Sequence, residues 1–207
     1  MKKVGIYFGT FDPIHEGHLA LAAAAAQECD LEKVFFLIEP RPRRKQGVKA
    51  LEHRSAMVRL AIKHEPRFGS ILLEQQRFTP LDTLPLLMER FKGAELYLIM
   101  GDDTLSHFGD WPHVEELMRQ VRFIIGLRTH EKAEVERRLD TVQRTRALVM
   151  DYQILSTDLP ACSSRAIRIS VRRGHKPRDL PLVVYAYIKQ EGLYASVESG
   201  SGSGISS

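Results

Sequence analysis

A doubly wound α/β fold, with helices on both faces of a parallel sheet, is predicted from three observations. Six short apolar runs recur along the chain, and helical patterns separate most of them. The first run ends in a glycine-containing turn that opens directly into an alanine-rich stretch. Strand and helix alternating in this way place a crossover helix between successive parallel strands, a Rossmann-like arrangement.

Strands are expected at Val4 to Phe8, Lys33 to Ile38, Ser70 to Leu73, Glu95 to Met100, Val121 to Leu127 and Ala147 to Tyr152. Each run is short and rich in aliphatic or aromatic residues, as strands buried on both faces require. Helices are expected at Leu19 to Glu28, Leu51 to His64, Leu84 to Phe91, Val114 to Gln120 and Glu131 to Leu139. No internal repeat is present. Ser196 to Ser207 is rich in glycine and serine with little to bury, so residues 1–195 form the expected domain and 196–207 a flexible tail.

The chain has 207 residues, of which 43% are hydrophobic, enough for one domain with a substantial core. No apolar run approaches the ~18 residues needed to cross a bilayer, and the N-terminus enters a strand without a secretory leader, so a cytoplasmic protein is expected. Two cysteines, Cys29 and Cys162, are too few for a disulfide framework or a zinc knuckle. The formal net charge of +4 raises the question of nucleic acid. No helix-turn-helix, zinc-finger or aromatic-basic interleaving supports it, and anionic small molecules fit the charge better. A homo-oligomer is compatible with these features.

Chemistry concentrates in three places. The first is Gly9-Thr10-Phe11-Asp12-Pro13-Ile14-His15-Glu16-Gly17-His18. Gly9 lets the backbone turn beside a ligand, and the helix that follows presents N–H groups without internal partners, a natural anion site. His15 and His18, three apart, share one face of its first turn and can donate to phosphate oxygens, with protonation favoured by nearby negative charge. The same spacing could hold a metal, but no third ligand stands out.

The second is Cys162-Ser163-Ser164-Arg165-Ala166-Ile167-Arg168, where a serine caps a helix start and Arg168, one turn on, reaches the same anion with its planar fork. The third is Leu96 to Asp103, an apolar strand that ends in Gly101 and two acids, followed by Trp111. Acids at the carboxyl end of a parallel strand line the ligand crevice of such sheets. A further basic run, Arg41-Pro42-Arg43-Arg44-Lys45, follows the second strand and overhangs the same crevice, with Lys45 a candidate phosphate contact.

Together these residues resemble the nucleotidyltransferase superfamily with a (T/H)xGH motif. The first motif matches G-x-F-D-P-x-H-x-G-H, and the second resembles I-S-S-T-x-I-R, with Arg165 in place of threonine. Gly101 to Trp111 and the ending Leu180-Pro181, Val184, Tyr187-Ile188 and Gly192-Leu193-Tyr194 resemble the bacterial nicotinate-nucleotide adenylyltransferases.

This resemblance implies a small helical C-terminal portion from about residue 163, and transfer of AMP from ATP to nicotinate mononucleotide. It places His15, His18 and Arg168 in catalysis. Gly9, Thr10, Phe11, Lys45, Gly101, Asp103, Ser163 and Ser164 would bind ATP, and Thr83, Trp111 and Arg128 the acceptor. Mg²⁺ would be held mainly by the ATP phosphates, with no metal site of the protein's own. Thr79-Pro80 stands where the family has Tyr-Thr, and proline removes a backbone donor near the pyridine carboxylate. Nicotinamide mononucleotide or another phosphorylated acceptor, and a non-catalytic nucleotide-binding protein, are the alternatives.

Overall fold

The computed structural model describes residues 1–42, 46–73, 77–105, 107–128 and 130–195. Six strands form one parallel sheet: β1 (Lys2–Gly9), β2 (Lys33–Ile38), β3 (Phe68–Leu72), β4 (Ala94–Gly101), β5 (Arg122–Gly126) and β6 (Tyr152–Ile154). Their order is β3-β2-β1-β4-β5-β6. The order reverses direction between β1 and β4, which opens a crevice at the carboxyl ends of those two strands.

Alternate residues of each strand face opposite cores. On one side Tyr7, Phe36 and Ile124 pack with α1 (Glu16–Glu28), α2 (Leu51–Ile62), α7 (Ser164–Arg172) and α8 (Leu182–Gln190). On the other, Ile6, Leu37 and Phe123 pack with α3 (Pro80–Arg90), α5 (Val114–Gln120) and α6 (Lys132–Arg146). A short helix α4 (Asp102–Leu105) and a 3₁₀ turn (Phe108–Asp110) follow β4. In α1 the alanines Ala22, Ala24, Ala25 and Ala26 are buried, so the helix lies close to the sheet while keeping high intrinsic helix propensity.

The C-terminal helices are part of the same body. Ile167, Val171, Val184 and Ile188 belong to the first core, and His53 Nδ1 of α2 lies 2.9 Å from the Tyr187 hydroxyl of α8.

The sixth strand and the helices α6, α3 and α1 differ most from expectation, α1 starting at Glu16 rather than Leu19 and α6 running to Arg146 rather than Leu139. The sixth strand lies at Tyr152–Ile154 rather than Ala147 to Tyr152, because α6 continues to Arg146 and ends on Ala147 in the left-handed region at φ 51°. Helix α3 starts at Pro80 rather than Leu84, because Thr79 caps it by accepting from Asp82 N, and Pro80 sits where a helix does not use the N–H. The tail beyond residue 195 lies outside the described residues.

Candidate active site

The first motif leaves β1, turns through Phe11 at φ 49°, and starts α1 with His15 as its N-cap. The Phe11 side chain is buried, with its ring edge-on to Tyr7 at 5.5 Å and to His18 at 5.1 Å. A Cβ on Gly9 would lie 2.7 Å from that ring, so the glycine makes room for Phe11, and the loop shows its backbone to the crevice.

His15 and His18 stack with ring centroids 3.6 Å apart, and His18 Nδ1 accepts from the His15 backbone N–H at 3.2 Å. Burial, with the Arg128 charge second, pushes the His15 imidazole down to about 3, so it is neutral at physiological pH. The protonation expected from the sequence presupposed an anion; without one, burial dominates.

The second motif folds onto the first. Ser163 is the N-cap of α7 and accepts from Ala166 N at 3.2 Å. Ser164 Oγ donates to the Pro13 carbonyl at 2.9 Å, and Arg168 Nη1 donates to the Asp12 carbonyl at 2.6 Å. The Asp12 carboxylate accepts from the Tyr194 hydroxyl at 2.6 Å and from Lys49 N at 3.4 Å. The chain's Gly-Leu-Tyr ending thus closes over the first motif.

At the end of β4, Asp103 Oδ1 pairs with Arg128 Nη2 at 2.9 Å. A Cβ on Gly101 would lie 2.5 Å from Arg128 Nη2 and 2.6 Å from Asp103 Oδ1, so a larger residue there would have to displace this pair. These groups surround a cavity of about 690 Å³ that includes Gly9, Thr10, His15, His18, Arg128 and Arg168. A second cavity, of about 470 Å³, shares Phe8, Gly9, Thr10 and Thr104 with it and continues to Glu39, Pro80 and Trp111. Trp111 is half-buried there, edge-on to Phe8 at 5.1 Å and to Phe108 at 5.3 Å.

The structure therefore gathers His15, His18, Arg168, Gly9, Thr10, Phe11, Gly101, Asp103, Ser163 and Ser164 around the first cavity. Arg128, expected beside the acceptor, lines this cavity and not the one at Trp111. Thr83 lines neither: it is fully buried, and its Oγ1 accepts from Thr79 N at 3.2 Å, because the second turn of α3 packs inward. Lys45 lies outside the described residues.

Two residues were missed. Arg54 is 1% exposed and donates to four carbonyls: Lys49 and Thr10 at 2.9 Å, Glu39 at 2.7 Å and Pro40 at 2.8 Å. It occupies the inward stripe of α2 between Leu51 and Val58, a polar residue in an apolar row, and that was its available signal. Asp102 is fully buried, and its Oδ2 accepts from His130 N at 2.7 Å and Arg128 N at 3.2 Å, joining the ends of β4 and β5. Nothing in a pair of adjacent acids says which one turns inward.

The cytidylyltransferase-like family model matches residues 6–169. A probable nicotinate-nucleotide adenylyltransferase of Thermomicrobium roseum is 32% identical over 205 residues, covering 96% of this chain and 94% of that protein. The nicotinate-nucleotide adenylyltransferase of Bacillus subtilis is 31% identical, covering 95% of this chain and 100% of its own. The fold is similar to that of Plasmodium falciparum nicotinic acid mononucleotide adenylyltransferase, solved with NaAD, at a TM-score of 0.75 and 19% identity, over 94% of this chain and 98% of that one. With both phosphate motifs facing one crevice and relatives matched along nearly their whole length, the chain belongs to the cytidylyltransferase-like family and, within it, to the nicotinate-nucleotide adenylyltransferases.

Proposed function

We propose that the protein transfers AMP from ATP to nicotinate mononucleotide, giving nicotinate adenine dinucleotide and pyrophosphate in the synthesis of NAD. A phosphate oxygen of the mononucleotide attacks the α-phosphorus and forms the new P–O bond. The bond from that phosphorus to the α,β-bridging oxygen breaks, and pyrophosphate leaves with the electron pair. Such a reaction asks the protein for positioning and charge stabilisation and little covalent chemistry.

One observation carries the reading: Ser164 and Arg168 are bonded to the carbonyls of Pro13 and Asp12, so the two phosphate motifs form one wall of one cavity. ATP lies in that cavity, with His15 and His18 donating to the phosphates at the reacting centre. Ser163, Ser164 and Arg168 take the departing pyrophosphate. An incoming polyanion opposes the burial that keeps His15 neutral. The adjoining aromatic cavity receives the acceptor ring against Trp111.

Mg²⁺ enters as part of the MgATP substrate, held by phosphate oxygens. The two carboxylates lining the cavity are engaged elsewhere, Asp103 with Arg128 and Asp12 with Tyr194. Among the described residues no group of three or more His, Cys, Asp or Glu side chains could hold a metal. No helix among them is long and apolar enough to cross a membrane, and we place the reaction in the cytoplasm.

A second acceptor, nicotinamide mononucleotide, is favoured by one feature. Pro80 lines the aromatic cavity and offers no N–H to a ring carboxylate, while Asp82 N is already taken by Thr79. Pyrophosphate release from ATP with nicotinate mononucleotide, nicotinamide mononucleotide and phosphopantetheine in parallel tests both. Turnover with the first is expected; success with another alone would replace the acceptor and keep the chemistry, and release with none would end the enzymatic reading.

A further inference from the structure

The first cavity is lined by three guanidinium groups, Arg128, Arg165 and Arg168, and by two carboxylates, Asp12 and Asp103. Each carboxylate faces one arginine: Asp103 Oδ1 lies 2.9 Å from Arg128 Nη2, and Asp12 Oδ2 lies 3.8 Å from Arg168 Nη1. Both histidines lie beside these groups, and His15 is held neutral by burial. Arg165 is the cation left over. It is exposed and has no hydrogen bond or ion pair among the described residues.

Its position is electrostatically unfavourable in the free protein. Arg165 is the second residue of α7, where the helix N-terminus carries partial positive charge, and the first turn holds no acidic residue to offset it. Arg168 sits three residues on, on the same side of the helix, so two like charges face each other across one turn. Another side of α7 carries the buried Ile167 and Val171, which fixes the helix's rotation and keeps both arginines toward the cavity. Two guanidinium groups, two serine hydroxyls and the N–H groups of one helix start face a single cavity, an arrangement that a multiply charged anion stabilises.

We propose that Arg165 binds the β- and γ-phosphates of ATP and the pyrophosphate they become, forming with Arg168 a two-arginine clamp at the start of α7. The inference rests on the adenylyl-transfer reading for the identity of the anion. Arg168, fixed by the Asp12 carbonyl, sets the inner end of the clamp. Arg165, untethered, closes on the outer phosphates and supplies a second fork where the related motif has a threonine hydroxyl. Its contribution falls on ATP and pyrophosphate, and the acceptor site at Trp111 is not involved.

The test compares wild-type protein with Arg165→Thr, Arg165→Met and Arg165→Lys. Inorganic pyrophosphate binding is measured by calorimetry, and KM for ATP and for the acceptor by steady-state kinetics. Loss of one charge-assisted fork predicts about tenfold weaker pyrophosphate binding and about tenfold higher KM for ATP in the Thr and Met variants. The acceptor KM should stay within about twofold, and the Lys variant should fall between. The melting temperature of the free Thr and Met variants should equal or exceed that of the wild type, since a cation is removed from a positive helix end. A structural role would lower it.

Unchanged pyrophosphate affinity in Arg165→Thr and Arg165→Met overturns the clamp, as does a wild-type protein that does not bind pyrophosphate. Wild-type turnover with the acceptor panel is a separate readout. Its failure alongside a tenfold loss of pyrophosphate binding would remove the reaction and leave the clamp as an anion site.

Discussion

Arg168 Nη1 donates to the backbone carbonyl of Asp12 at 2.6 Å, across 156 positions of sequence. The bond makes the arginine a tether for the loop that precedes the two histidines, and in the proposed reaction the same guanidinium also holds phosphate. Arg168→Ala removes both functions, and a loss in turnover of a hundredfold or more is expected, about 2.7 kcal/mol of barrier. Arg168→Lys keeps the charge without the planar fork and should recover only part of it. Single-turnover rates at saturating ATP check this, and a loss below about threefold in the alanine variant would relegate Arg168 to structure.

His18 receives the His15 backbone N–H on Nδ1, and in the proposed reaction its imidazole donates to a phosphate. Replacing it with alanine removes a donor at the reacting centre, and losses of this kind run from about 10² to 10⁴. His18→Ala should lower turnover at least a hundredfold, with circular dichroism and melting showing a folded domain. Near-normal turnover would remove its role.

The pH dependence of stability follows from His15. Its folded value near 3 lies below the ordinary 6.5, so between those limits the unfolded chain binds more protons than the folded one. The contribution is fully present above 6.5 and is lost as pH falls toward 3. By pH 5 about 2 kcal/mol of it has been lost. Glu28 adds the same sign in a lower window: burial opposes its charge, but four hydrogen bonds from Ser156 and Thr157 hold it at about 2. Urea midpoints should drop from pH 7.5 to pH 5, and His15→Gln should flatten that drop. An equal slope in the variant would show that other groups carry it.

Much of this was legible because it is contiguous. β1, β2 and β4 are apolar runs buried on both faces, and α5 keeps the expected bounds of Val114 to Gln120. The histidines and the serine-arginine helix start are local motifs whose chemistry belongs to their residue types. The sixth strand was misplaced because Ala147 to Tyr152 has strand composition while Val149 is exposed, so nothing rewards pairing there. The row of α2 flagged Arg54 as out of place, but its four carbonyl partners, like Asp12 under Tyr194, are set by tertiary approach and are not written in local sequence.

Arg54 makes a severe stability prediction. Its guanidinium is the shared donor for carbonyls from the first motif, the segment after β2 and the start of α2, so removal leaves several buried acceptors without partners. Each unsatisfied group costs about 1 kcal/mol or more, and Arg54→Met should destabilise by about 3–5 kcal/mol. Arg54→Lys, with one nitrogen, cannot span four acceptors and should recover little. Urea unfolding measures both, and a loss below about 1 kcal/mol in the Met variant would mean that water replaces the guanidinium.

Trp111 tests the proposed division of the two cavities between the two substrates. It lies in the aromatic cavity against Phe8 and Phe108, apart from the arginines that line the first cavity. A pyridinium ring stacked on it gains about 1–2 kcal/mol from ring contact and cation–π attraction. Trp111→Phe retains the packing and Trp111→Ala removes it, so the acceptor KM should rise modestly in the first and about tenfold or more in the second. KM for ATP should stay within about twofold. Equal increases for both substrates would show that the tryptophan acts through the shared strand end at Phe8 and Gly9 and not through the acceptor ring.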